Sequence, residues 1–166
     1  AQVLGNPHSV NPSSAAATAL VERVRAAVLA YFNAAGRYTA IFTPNASGAI
    51  KLVAESWPFA PGGRLLLSAD NHNSVNGMRE FALRRGARVD YAPLTRPQLR
   101  LDLDALDALM SPVESGAPCL LAFPAQSNFS GVKHPLGLID TARSRGWQVL
   151  LDAAAFVPTN RLDLGV

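Results

Sequence analysis

The run Trp147-Gln148-Val149-Leu150-Leu151-Asp152-Ala153-Ala154-Ala155 restricts the fold more than any other stretch of the sequence. Consecutive Val, Leu and Leu leave no polar face, so a strand built from them must be covered on both sides, as the strands of parallel sheets are. The run stops on a carboxylate, Asp152, followed by small residues. In an open α/β sheet the carboxyl ends of the strands border the ligand crevice, which makes Asp152 a candidate for the centre of a site. A strand-end Asp also serves as a turn former, and this run alone leaves both roles open.

The rest of the chain repeats the same grammar. Strands are predicted at Thr39–Thr43, Arg64–Ala69, Arg88–Ala92 and Cys119–Phe123, with the Asp152 run as the fifth. Between and before them lie helical patterns. Ser13 or Ser14 is expected to cap a helix carrying Leu20, Val24, Val28, Tyr31 and Phe32, ended by Gly36. Others follow Asn45 as far as Trp57, run from Ser74 to Arg85, start on Asp102 or Asp104, and extend from Leu136 to Arg145. Strands alternating with helices imply an α/β fold: a three-layer αβα sandwich around a mainly parallel sheet. In such a sheet every strand-to-helix loop lies on one edge. Asn45-Ala46-Ser47, His72, Asn128 and Asp152 are thereby brought to a common side.

Composition narrows the function. A chain of 166 residues supports one domain with a real core. Its net charge of +3 is spread along the sequence without a basic cluster, which argues against nucleic acid as a partner. No apolar run approaches the roughly 18 residues of a membrane helix. The lone cysteine, Cys119, rules out an internal disulfide framework and sits in an apolar strand, where it reads as core; a reducing, cytoplasmic setting fits. His8, His72 and His134 lack metal-ligand spacing, so no metal site is expected.

Four loops carry the chemistry. Thr43-Pro44-Asn45-Ala46-Ser47-Gly48 joins a strand to a helix start through small residues, so backbone N–H groups and the Ser47 hydroxyl can approach an anion such as phosphate at the positive end of the helix dipole. An ordinary capped helix start reads the same way. The loop is neither a Walker-type P-loop nor a GxGxxG fingerprint, against nucleoside triphosphates and dinucleotides. His72 can lay its imidazole on a flat aromatic ligand, or simply occupy an exposed loop. Asn128, within Gln126-Ser127-Asn128-Phe129-Ser130-Gly131, can hydrogen-bond a phenolic oxygen, or serve a turn. Asp152 can pair with a protonated ring nitrogen and keep its charge. Phosphate, stacked ring, ring oxygen and ring nitrogen together describe pyridoxal 5'-phosphate.

These stretches also resemble a known family. Phe42-Thr43-Pro44-Asn45-Ala46-Ser47-Gly48-Ala49, Asn71-His72-Asn73-Ser74-Val75-Asn76-Gly77-Met78-Arg79, Gln126–Gly131 and Leu151–Ala155 are similar, in the same order, to the motifs of class V aminotransferases among fold-type I pyridoxal-phosphate enzymes. The resemblance is closest to molybdenum cofactor sulfurase-like and cysteine desulfurase-like members. It implies catalytic roles for Asp152 and His72, and cofactor contacts from Asn45, Ala46, Ser47, His72, Asn128 and Asp152. It further implies an amino-acid substrate, with L-cysteine as the candidate, and a homodimer. Many desulfurases of the family carry Gln or His three residues after the aspartate. Here that position is Ala155, closer to the sulfurase-like members.

The family's cofactor-binding lysine follows the aspartate by a further strand and loop. Lys51 and Lys133, the two lysines of the sequence, match neither place. Residues 1–166 are therefore expected to be a partial large domain that lacks the first segment, that lysine and the small C-terminal domain, and to be inactive alone. In the parent enzyme the resemblance implies cleavage of the C–S bond of cysteine, with the sulfur passed to a thiolate other than Cys119. The cofactor contacts also suit another class V aminotransferase, lyase or epimerase, and a non-catalytic binding or assembly domain that kept the fold.

Overall fold

The strands form where apolar residues run without interruption. A computed structural model describes residues 5–113 and 116–165. In chain order the elements are α1 (Pro12–Tyr31), α2 (Ala46–Ser56), β1 (Arg64–Ser68), α3 (Asn73–Asn76), α4 (Met78–Arg84), β2 (Arg88–Ala92), α5 (Leu103–Leu109), β3 (Cys119–Pro124), α6 (Leu138–Ser144) and β4 (Gln148–Asp152). Two compact units contain them: residues 43–160, and residues 5–42 with 161–165.

The larger unit is an αβα sandwich. Its four strands lie in the order β2-β1-β3-β4, all pairs parallel, with Leu65 opposite Leu120 and Pro124 opposite Asp152. β1 and β3 are central and wholly enclosed, with Leu65, Leu66, Leu67, Leu121, Ala122 and Phe123 at 0% exposure. Alternation along these strands divides the core in two. Leu65, Leu67, Leu120 and Ala122 pack with Ile50, Val75 and Met78 from α2, α3 and α4. Leu66, Leu121 and Phe123 pack with Leu106, Leu138 and Trp147 on the other face. From β1 the chain winds outward to β2, then returns to place β3 on the opposite side of β1. That reversal opens a crevice at the carboxyl ends of β1 and β3, where open α/β sheets bind ligands.

In the smaller unit α1 starts two or three residues earlier than its serines suggest. Asn11 is the cap: its side-chain oxygen accepts the Ser14 N–H at 2.9 Å and Pro12 takes the first helical position, where a missing N–H costs nothing. Ser13 and Ser14 lie inside the first turn.

The strand expected at Thr39–Thr43 is not formed. β-branched and aromatic residues favour extended backbone, but a strand also needs a partner to take its hydrogen bonds, and among the described residues the ladders join only the strands β1, β2, β3 and β4. Instead Ile41 and Phe42 are 66% and 50% exposed, the Arg25 guanidinium donates to the Ala40 carbonyl, and it stacks over the Phe42 ring at 5.3 Å. The helix expected from Ser74 to Arg85 is divided at Gly77 into α3 and α4.

Candidate active site

α2 begins where its sequence says it should. The Asn45 side chain accepts the Gly48 N–H at 2.8 Å and the Thr43 hydroxyl donates to the Asn45 carbonyl at 2.9 Å, fixing the turn that starts the helix. Asn45 itself stays outside the cavity wall, whereas Ala46 and Ser47, the next two residues, line it. As first-turn residues of a helix, they have N–H groups with no carbonyl a turn earlier to bond. They meet a cavity of about 210 Å³ that His72, Asn128 and Asp152 also line. Four loops separated by as many as 106 positions thus converge on one space, as the parallel sheet requires.

His72 ends the β1 loop and caps α3. Its Nδ1 accepts the Ser74 N–H at 3.2 Å and lies 3.0 Å from the Ser74 Oγ. That Nδ1 is therefore an acceptor, and in the neutral ring the proton sits on Nε2. Ser74 Oγ is in turn 2.5 Å from Ser47 Oγ. Sequence position marks Ser74 as a helix start but not as a site residue; the folded loop shows that it touches both.

Asp152 closes β4. Its Oδ1 accepts the Ala154 N–H at 3.0 Å, so the turn-forming role is present. The residue also lines the cavity. It is half-buried, and among the described residues no basic side chain pairs with it. The two roles coexist because one oxygen suffices for the turn. Beside it Ala154 and Ala155 give the wall small side chains.

Asn128 lies on an exposed loop closed by Gly131, whose φ of 73° is the left-handed conformation glycine adopts without strain and whose N–H donates to the Ser127 carbonyl at 2.9 Å. The loop is tied down beneath the site by a buried network that spacing alone did not reveal. Asp70 accepts from the Ser68 hydroxyl at 2.9 Å and meets His134 Nε2 at 2.8 Å, the two side chains being 3% and 1% exposed. Burial disfavours the charged Asp70, but the hydrogen bond and charge of His134, with the Ser68 and Ser127 hydroxyls, outweigh it and hold the carboxyl below the usual carboxylate range. The Asn71 amide donates to the Ser68 and Ala122 carbonyls at 3.0 and 2.9 Å, stitching the ends of β1 and β3 together at the crevice.

Neither lysine enters the cavity. Lys51 pairs with Glu55 along α2 at 3.4 Å, and the Lys133 Nζ donates to Asn160 at 2.5 Å. Cys119 is 3% exposed at the opposite end of β3, and burial pushes its thiol up. Among the described residues no group of three His, Cys, Asp or Glu side chains could hold a metal ion.

A family model described as aminotransferase class-V matches residues 1–165. The chain belongs to this family. As a class-V member it is 39% identical over 176 aligned positions to the molybdenum cofactor sulfurase of Homo sapiens, with 96% of this chain and 20% of that protein covered. It spans about a fifth of the length of the curated relatives it matches. Among solved structures, the cysteine desulfurase CsdA of Escherichia coli, in its S-sulfonic acid form, superposes with a TM-score of 0.77 at 28% identity, covering 96% of this chain and 40% of that one. A C-DES mutant with glycine covalently linked to its PLP cofactor superposes at 0.75 and 18% identity over 93% of this chain and 41% of that one, which shows a shared fold. The class-V fold is therefore that of the fold-type I cysteine desulfurases.

Proposed function

We propose that the cavity is the pyridoxal 5'-phosphate site of a sulfur-transferring enzyme of the molybdenum cofactor sulfurase kind, that L-cysteine is its amino-acid substrate, and that residues 1–166 are part of its large domain. One observation carries the reading. A half-buried, unpaired strand-end carboxylate shares a small cavity with a helix N-terminus and an imidazole, as a flat, phosphorylated, basic ring requires. Kinship with the sulfurases supports the choice of reaction class.

Each residue has a physical task. The N–H groups of Ala46 and Ser47 and the Ser47 hydroxyl bind the phosphate, helped by the dipole of the 11-residue α2. His72 covers one face of the ring, Asn128 donates its amide to the ring oxygen, and Asp152 holds the proton on the ring nitrogen. Bound there, the cofactor supplies an electron sink for charge developing at the α-carbon of the amino acid. Asp152 keeps that sink electron-poor, because a carboxylate beside a pyridine nitrogen favours its protonated form. Cys119, enclosed in the core, does not receive the sulfur. A homodimer in a reducing cytoplasmic setting completes the proposal.

The test is sulfur release from L-cysteine by a polypeptide of the sulfurases' full extent. Asp152→Asn should fold and retain cofactor while turnover falls by orders of magnitude; near-normal turnover would refute the role. The 166-residue chain should not turn over cysteine, since neither Lys51 nor Lys133 lines the cavity.

A further inference from the structure

Three side chains form a continuous hydrogen-bonded line from the phosphate loop to the stacking imidazole: Ser47 Oγ, Ser74 Oγ and His72 Nδ1, with separations of 2.5 and 3.0 Å. The direction of donation along this line is set at one end. Ser74 N–H already donates to His72 Nδ1, so Nδ1 is an acceptor and the Ser74 hydroxyl, facing the same nitrogen, donates to it. The Ser74 oxygen then accepts a hydrogen bond from the Ser47 hydroxyl. In this setting the single hydroxyl proton of Ser47 is spent inside the protein, so toward an anion the side chain turns only lone pairs, beside the backbone N–H groups of Ala46 and Ser47.

An anion at the loop needs that proton. Two hydroxyl oxygens 2.5 Å apart need one proton between them, so while that contact is kept Ser47 turns its hydroxyl to the anion as Ser74 reverses and donates to the Ser47 oxygen, which also strengthens Ser47 as a donor. The reversal removes the hydroxyl hydrogen bond from His72 Nδ1 and leaves the backbone N–H of Ser74 as its donor. No proton enters or leaves; two hydroxyls rotate.

We propose that Ser74 is a positioning residue with two settings, through which capture of a phosphate group at Ala46-Ser47 releases one of the two hydrogen bonds that hold the edge of the His72 ring. With the site empty, the imidazole edge is gripped by both the N–H and the hydroxyl of Ser74. With the phosphate seated, the ring keeps its tautomer through the N–H and is free to settle its face against the ligand. The inference rests on assigning the phosphate to the α2 loop, so its test uses inorganic phosphate, which reaches the loop and carries no ring to touch His72.

The experiment is imidazole ¹⁵N spectroscopy of the chain, labelled at histidine, at a fixed pH where His72 is neutral, with the Ser47 amide resonance reporting anion binding. Phosphate should move the wild-type His72 Nδ1 resonance toward that of a less hydrogen-bonded acceptor. Ser74→Ala should show the displaced position without phosphate and no further movement with it. Ser74→Thr, which keeps the hydroxyl, should restore the wild-type response, and Ser47→Ala should fix Nδ1 in the undisplaced position whether or not phosphate is added. An equal phosphate response in Ser74→Ala and wild type would mean that charge alone is felt through space, and would overturn the proposal. So would a bound phosphate that leaves Nδ1 unmoved in the wild type. A Ser47 amide that ignores phosphate overturns the assignment of the loop as well, which separates the two failures.

Discussion

Asp70 and His134 lie 64 positions apart, yet their side chains meet at 2.8 Å under the loops that carry His72 and Asn128. A carboxyl held below its ordinary range stabilises the fold at pH values above the unfolded value of about 3.9, and loses that contribution as pH falls through the lower folded value. Urea unfolding of wild type and Asp70→Asn should therefore differ at about pH 5, above the unfolded carboxyl value, and converge in more acidic solution. Parallel acid profiles would show that the pair contributes nothing through ionisation. This pair is illegible in the sequence because buried partners are chosen by the fold and not by spacing along the chain. Asp152, Ser47, His72 and Asn128 could be read because each stands at a strand end or helix start, where sequence position alone decides which side of the sheet it reaches.

Elements were legible in proportion to how local their causes are. Uninterrupted apolar runs gave β1, β3 and β4 close to their observed ends, and Asp102, one of two expected caps, accepts the Ala105 N–H at 3.0 Å. The Thr39–Thr43 segment shows the limit, since its residues favour extended backbone while pairing depends on a distant partner. Caps sit between these cases, and the one on α2 matters most for function because it determines where the free N–H groups of Ala46 and Ser47 point. Asn45→Ala removes the acceptor of the Gly48 N–H. It should lower stability by about 1 kcal/mol in denaturant titrations and weaken phosphate binding in calorimetry, although Asn45 lines no part of the cavity. Loss of stability with unchanged phosphate affinity would separate the cap from the site.

At the scale of the molecule, the sheet order β2-β1-β3-β4 explains why a site exists where it does. Reversal of winding between β1 and β3 leaves their carboxyl ends without a crossover between them. The neighbouring ends of α2 and β4 then wall the space. Parallel packing on two faces was readable from composition of the strands; their lateral order was not, because every arrangement of equally apolar strands satisfies the same pattern. The role proposed for Asp152, to hold the proton on a cofactor ring nitrogen, is tested without recourse to activity by pyridoxal 5'-phosphate labelled with ¹⁵N in its ring. Bound to the wild-type chain, the ring nitrogen should give the resonance of a protonated pyridine from neutral into alkaline solution, and bound to Asp152→Asn it should give that of an unprotonated one. The same resonance in both chains would refute that role of Asp152.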